Sequence, residues 1–146
     1  LELMSENATI PVHLLASKVG LSADAVTYRI KKLQKAKYIL GYIPAINYSL
    51  INYNIHSLLI RISHLTEKEE SSLQEFLRTN KDVLWAVKTL GRYNILLYLC
   101  TQTMDDFTAT TEAIRNFLVS KIQDYEILIN FEEYKYTYLP KGLLDN

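Results

Sequence analysis

The stretch Ala16-Ser17-Lys18-Val19-Gly20-Leu21-Ser22-Ala23-Asp24-Ala25-Val26-Thr27-Tyr28-Arg29-Ile30-Lys31-Lys32-Leu33 sets the reading of this chain. A small residue (Ala16), a glycine (Gly20) and an apolar residue (Val26) stand in an A-x3-G-x5-V pattern, the spacing that lets two helices cross closely. Upstream, Ile10-Pro11 opens the first helix, since Pro is tolerated in a first turn, where its missing N–H costs little. Val12, Leu15, Ala16 and Val19 follow at helical spacing. Gly20 closes that helix as a left-handed cap, and Ser22 is placed to cap the next. In the second helix Val26, Ile30 and Leu33 form an apolar stripe, while Thr27, Tyr28, Lys31, Lys32 and Lys35 collect on the other side. Leu1, Leu3 and Met4 read as the tail of a helix already under way, which predicts residues missing from the N-terminus.

The net charge of zero hides an asymmetry. Residues 1–49 hold six Lys/Arg against three acids, and residues 50–146 hold ten against thirteen. Five of the first six bases fall between Arg29 and Lys37 with no acid among them. Such a block is either a solvated helix face or the electrostatic footprint of phosphate binding. Its coincidence with a helix-turn-helix favours the second. In that motif the second helix enters the major groove and its N-terminal residues reach base edges. Ser22, Ala23, Asp24, Thr27, Tyr28 and Lys31 are the exposed positions, with Arg29, Lys32 and Lys35 on phosphate, which positions a protein without specifying sequence.

From Tyr38 to Asn47 the pattern turns aromatic and β-branched, with Gly41 and Pro44 limiting it to a short edge strand or wing. Beyond the polar-aromatic segment 49–54, Leu58, Ile60 and Ile62 alternate as one face of a strand. Thr66 and Glu69 form a capping box for a helix with Leu73, Phe76 and Leu77 inward. Val83 to Leu90 and Tyr93 to Thr101 read as strands about a tight turn at Gly91-Arg92. Thr103 caps a helix with Asp105 and Asp106 at its positive end and Phe107, Ile114, Phe117 and Leu118 inward. A last strand runs from about Tyr125 to Tyr138, with Tyr134, Tyr136 and Tyr138 on one face as packing or interface residues. The order βαββαβ is ferredoxin-like. Two helices cover only one face of such a sheet, yet the strand at Tyr93–Cys100 is apolar on both. The uncovered face predicts a dimer interface, with Leu97→Asp as the substitution expected to break it.

The helix-turn-helix run, together with Ile39-Leu40-Gly41-Tyr42 behind it and Gly91-Arg92-Tyr93-Asn94 in the second half, resembles the Lrp/AsnC (leucine-responsive, feast-famine) family of transcriptional regulators. The resemblance covers nearly the whole chain. It implies an α+β protein: a winged helix-turn-helix over residues 1–48, a linker over 49–54 and a ferredoxin-like, ACT-like domain over 55–146. It further implies a homodimer, or dimers assembled into octamers, that binds double-stranded DNA. The C-terminal domains of the family commonly bind an amino acid between subunits. Gly91, Tyr93 and Asn94 carry over to that effector site, where backbone N–H groups beside a glycine turn would hold a carboxylate. Three departures stand out: Asn94 where the family usually has Asp, Lys37 where it often has Gly, and no Gly-Val pair within 121–126. The alternatives are an amino-acid sensor or assembly module without DNA binding, and an enzyme like the relatives that decarboxylate a modified tetrapyrrole. The wing lacks the Arg and His residues those enzymes use.

The remaining features exclude other classes. With 49% hydrophobic residues over 146 positions the chain can bury a core. Its longest apolar run, Ile95 to Cys100, is far short of the roughly 20 residues of a membrane helix. One cysteine, Cys100, permits no internal disulfide, and its apolar strand predicts a buried hydrophobe. His13, His56 and His64 show no metal-ligand spacing. No cofactor and no catalytic residue is expected, and the expected setting is the cytoplasm.

Overall fold

In the computed structural model, which describes residues 1–135, 137, 139, 140, 142 and 143, the chain divides into two compact units. One comprises residues 1–45 with 133–146, the other residues 46–132. The first holds helices α1 (Glu2–Glu6), α2 (Val12–Val19) and α3 (Ala23–Lys35). Pro11 is the N-cap of α2 rather than a first-turn residue. Its carbonyl accepts the first helical bond, from Leu15 N–H at 3.0 Å. Gly20 ends α2 at φ 65°, the left-handed cap its sequence announced. Ser22 caps α3 by accepting from Ala25 N–H at 3.2 Å. Ala16 and Val26 are buried with Leu15, and Leu3, Met4, Ile10, Leu21 and Ile30 pack around them. Leu33 lies only half-buried at the edge of the stripe. A core this small leaves little margin, so each helix end matters.

Helix α3 stops in a motif no glycine supports. Lys37 adopts φ 59°, with Tyr38 N–H donating to Leu33 O at 2.9 Å and Lys37 N–H to Gln34 O at 3.0 Å. These are the two bonds of a Schellman ending, built with lysine in the left-handed position. The wing expectation needs correcting. Residues 40–47 pair with no strand among the described residues, and Leu40 and Ile43 are exposed.

The second unit opens with one turn of 3-10 helix at Tyr48–Ile51, which overlaps the stretch 49–54 expected to be a linker. Strand β1 (Asn54–Ile62), helix α4 (Glu67–Thr79), β2 (Val83–Lys88), β3 (Ile95–Thr101), α5 (Met104–Phe117) and β4 (Ile122–Ile129) follow. The sheet order is β2-β3-β1-β4, antiparallel at every pairing, which is the ferredoxin-like topology. Both helices carry a capping box, Thr66 with Glu69 and Thr103 with Asp106. Glu69 also meets Lys121 at 2.9 Å. The Thr66 backbone N–H, with Lys121, holds its carboxyl down at about 2. The last strand ends at Ile129, short of the expected Tyr138. Tyr134 lies beyond it and is exposed, while Tyr136 and Tyr138 fall outside the described residues.

The core sits between the sheet and the two helices. Leu58, Ile60, Leu97, Leu99 and Ile114 are sealed from solvent there, with Leu73, Leu77, Phe107 and Leu118 closing over them. Phe117, exposed at its edge, stacks on Phe76 at 4.4 Å. Register assigns the other face. Trp85, Tyr98, Ser57 and Leu128 form one row across the four strands, and Val87, Leu96, Leu59 and Glu126 the next. This corrects the choice of Leu97 as an interface residue: it points into the core, and its neighbours Leu96 and Tyr98 take the opposite face. Cys100 is buried as expected, its thiol pushed up by burial and then by Asp82.

Candidate nucleic-acid interface and effector loop

Helix α3 turns its Val26–Ile30 side to the small core, and 3.6 residues per turn then fix what looks outward. Asp24, Tyr28, Lys31 and Lys35 follow at i, i+4, i+7 and i+11, all exposed. Tyr28 stands 68% exposed, well beyond what a packing role requires. Lys32 and Arg29 flank this row and are exposed as well. Among the described residues no acid lies within ion-pair distance of Arg29, Lys31, Lys32, Lys35 or Lys37. The row therefore presents uncompensated positive charge, the condition for meeting phosphate.

Two expected contact residues also have structural work. Ser22 accepts the Ala25 N–H, leaving its hydroxyl proton to donate elsewhere. Thr27 donates its hydroxyl proton to Ala23 O at 2.9 Å, so toward a partner it offers a lone pair and a methyl group. Thr27 and the stem of Lys31 also border a hollow of about 270 Å³ with Met4, Ile10, Gln34 and Tyr42. Ala23 and Asp24 are exposed in the first turn, where Asp24 also favours the helix dipole. Tyr42 enters the sequence reading only within the run Ile39-Leu40-Gly41-Tyr42, and Gln34 not at all; the helical wheel extended past Leu33 points to Gln34.

The second candidate site is a six-residue loop, not the tight turn expected. Strand β2 ends at Lys88 and β3 begins at Ile95. Thr89 N–H donates to Asn94 O at 3.0 Å, and the Thr89 hydroxyl to Tyr93 O at 2.7 Å. The N–H groups of Gly91 and Tyr93 make no hydrogen bond among the described residues. Partial burial, then a hydrogen bond with Glu126, raises the Tyr93 phenol above its ordinary value. Arg92 lies over the Tyr93 ring at 5.1 Å and reaches Asp124 at 3.4 Å. Asn94 is different. Its amide Nδ2 donates to Ile62 O at 2.8 Å, and its Oδ1 accepts from Ile62 N–H at 2.8 Å. The side chain thus pairs with β1 as another peptide group would. Among the described residues no cluster of His, Cys, Asp and Glu could hold a metal ion, and no helix is long and apolar enough to cross a membrane.

Comparison with known proteins bears on both units. Residues 1–34 match the AsnC-type helix-turn-helix domain. No curated protein matches the sequence. Among solved structures, a transcriptional regulator from Neisseria meningitidis in complex with L-Met superposes with a TM-score of 0.85 at 20% identity, over 97% of this chain and 92% of that one. An AsnC family transcriptional regulator from Agrobacterium tumefaciens gives 0.82 at 22% identity, over 95% and 91%. E. coli AsnC gives 0.74 at 22% identity, over 93% and 90%. At these identities the likeness establishes a shared fold along nearly the whole chain.

Proposed function

We propose that this chain is a sequence-specific DNA-binding transcriptional regulator, since residues 1–34 match the AsnC-type helix-turn-helix and the fold is that of AsnC-family regulators. The observation that carries this reading is the outward row of α3, with Tyr28 exposed among cations that meet no acid among the described residues. In the major groove, Asp24, Thr27, Tyr28 and Lys31 would meet base edges, together with Ser22 and Ala23 at the helix start. Arg29, Lys32 and Lys35 bind phosphate and fix the register. In this reading the helices of residues 1–45 bind DNA, and the sheet unit, residues 46–132, serves assembly and effector.

The uncovered sheet face supports a homodimer. Trp85 stacks on Tyr98 at 5.3 Å there, beside Leu96, Leu59, Val87 and Leu128, and a second copy of the same face would bury this surface. Two copies present two α3 helices to two half-sites, the arrangement a palindromic operator requires. An amino acid is the effector class, since the neisserial neighbour is an L-Met complex. The role is regulatory rather than catalytic.

Substitution of the outward row tests the reading. Tyr28→Ala and Lys31→Ala should each weaken binding to the preferred duplex by roughly 1–3 kcal/mol for a lost base contact, with little effect on a random duplex. Arg29→Ala should weaken both duplexes alike. If Tyr28→Ala and Lys31→Ala leave discrimination unchanged, those two residues do not read sequence.

A further inference from the structure

Asp24 is the single acid of helix α3, and it stands on the outward row with Tyr28, Lys31 and Lys35. Side chains three and four positions away are the ones that can neutralise a charge on a helix. For Asp24 these are Thr27 and Tyr28 ahead and Leu21 and Gly20 behind. No cation of its own helix therefore meets it, and among the described residues it takes part in no ion pair. It does not cap the helix either, because Ser22 accepts the Ala25 N–H. What remains for it locally is a favourable place near the helix dipole, a small effect at an exposed site. A carboxylate left bare within a cationic row is out of place on a surface that meets only phosphate.

The major groove supplies the missing partner. Only cytosine N4–H2 and adenine N6–H2 donate there, while guanine N7 and O6 and thymine O4 accept and so repel a carboxylate. Adenine also sets its N7 acceptor beside its donor, which leaves cytosine as the base that suits Asp24. Thr27 adds no donor beside it, since its hydroxyl proton is committed to Ala23 O at 2.9 Å. Lys31 is the opposite case, with three donors and no acceptor, and guanine presents two acceptors to such a group. Asp24 and Lys31 lie on the same side of α3, roughly 10 Å apart along the helix axis at about 1.5 Å per residue. That distance matches about three base-pair steps of roughly 3.4 Å.

We propose that Asp24 accepts from a cytosine and Lys31 donates to a guanine about three base pairs away in the same half-site, and that this pair sets the sequence preference. The proposal rests on the DNA-binding reading above and adds which bases the helix selects. Asp24 works by exclusion as much as by attraction. Its charge lowers affinity for duplex in general, through repulsion by phosphate, and the loss is made good only where a cytosine stands opposite.

The test is selection of bound duplexes from a randomised pool by the full-length protein, followed by sequencing. Asp24→Asn, Asp24→Ala and Lys31→Met are carried alongside, their folding checked by circular dichroism. The unmodified protein should enrich a cytosine and a guanine about three base pairs apart, each favoured roughly tenfold or more over other bases. Asp24→Asn, whose amide both donates and accepts, should move the cytosine position to adenine. Asp24→Ala should leave that position without preference, and Lys31→Met should relax the guanine alone. Both Asp24 variants should also bind a scrambled duplex more tightly at low salt, where repulsion by phosphate is least screened. A role confined to the helix dipole would alter the melting temperature and leave the enriched bases as they were. That result in the folded Asp24 variants, or enrichment of a sequence lacking the cytosine and guanine, would overturn the proposal and leave the DNA-binding reading standing. If the unmodified protein enriches no sequence, that reading itself fails and the proposal with it.

Discussion

Asn94 commits its whole side chain to one backbone partner, giving a proton to Ile62 O and taking one from Ile62 N–H. A carboxylate can accept but cannot donate, so it cannot reproduce both halves of that pairing. Asn94→Asp should therefore destabilise the second unit by roughly 1–3 kcal/mol, the cost of leaving a partly buried carbonyl without its donor. Urea unfolding beside the unmodified protein measures it, and an unchanged midpoint would show that the pairing contributes nothing. The pH dependence has a definite sign. Facing a carbonyl, the introduced carboxyl is driven toward its protonated, donating form, so its folded-state pKa lies above the unfolded value. The deficit is then smallest below the unfolded pKa and grows as pH rises through the folded one. Asn94 thus departs from the resembling family for a local reason. Sequence comparison sees a lost charge there, and the structure gives the amide a partner.

Helix α3 is where sequence and structure agree most closely. Ala16, Gly20, Ser22 and Val26 each do in the fold what their spacing announced, because caps and close crossings are set by residues near in sequence. The C-terminal end of the helix is the exception that its own sequence flagged. Lys37 holds φ 59°, a conformation costly for a residue with a Cβ. Lys37→Gly should raise stability by about 1 kcal/mol, the left-handed penalty less glycine's greater entropy loss on folding. A thermal melt checks this, and a lowered midpoint would mean that the lysine side chain has a stabilising contact outweighing its strain. Residues 40–47 form no edge strand, for the opposite reason. An alternating stretch such as Tyr38–Asn47 specifies an extended backbone, but a strand also needs a partner, and no local pattern supplies one. The Glu70–Lys88 pair is invisible in the sequence for the same cause, since it forms only where helix α4 packs against strand β2.

At the scale of the molecule, the two faces of the sheet make different demands. The period of two told that β3 is apolar on both sides, but the sequence has no mark saying which side the helices take. Leu97 is sealed beneath α5 and α4, so Leu97→Asp should abolish folding rather than separate copies, since a buried unpaired charge costs several kcal/mol. Tyr98→Asp, on the uncovered face, should leave the fold intact and give a monomer. Sedimentation with circular dichroism separates the two, and a folded Tyr98→Asp protein of unchanged mass would remove this face from the interface.

The proposed function stands on an exposed cationic helix that reads duplex DNA. Its most direct test is binding of the full-length protein to the DNA upstream of its own gene, beside a scrambled duplex, across a salt series. The expected result is preference for the first duplex and affinity that falls steadily as salt rises, because phosphate contacts release counterions. Equal binding to both duplexes with no dependence on salt would contradict it.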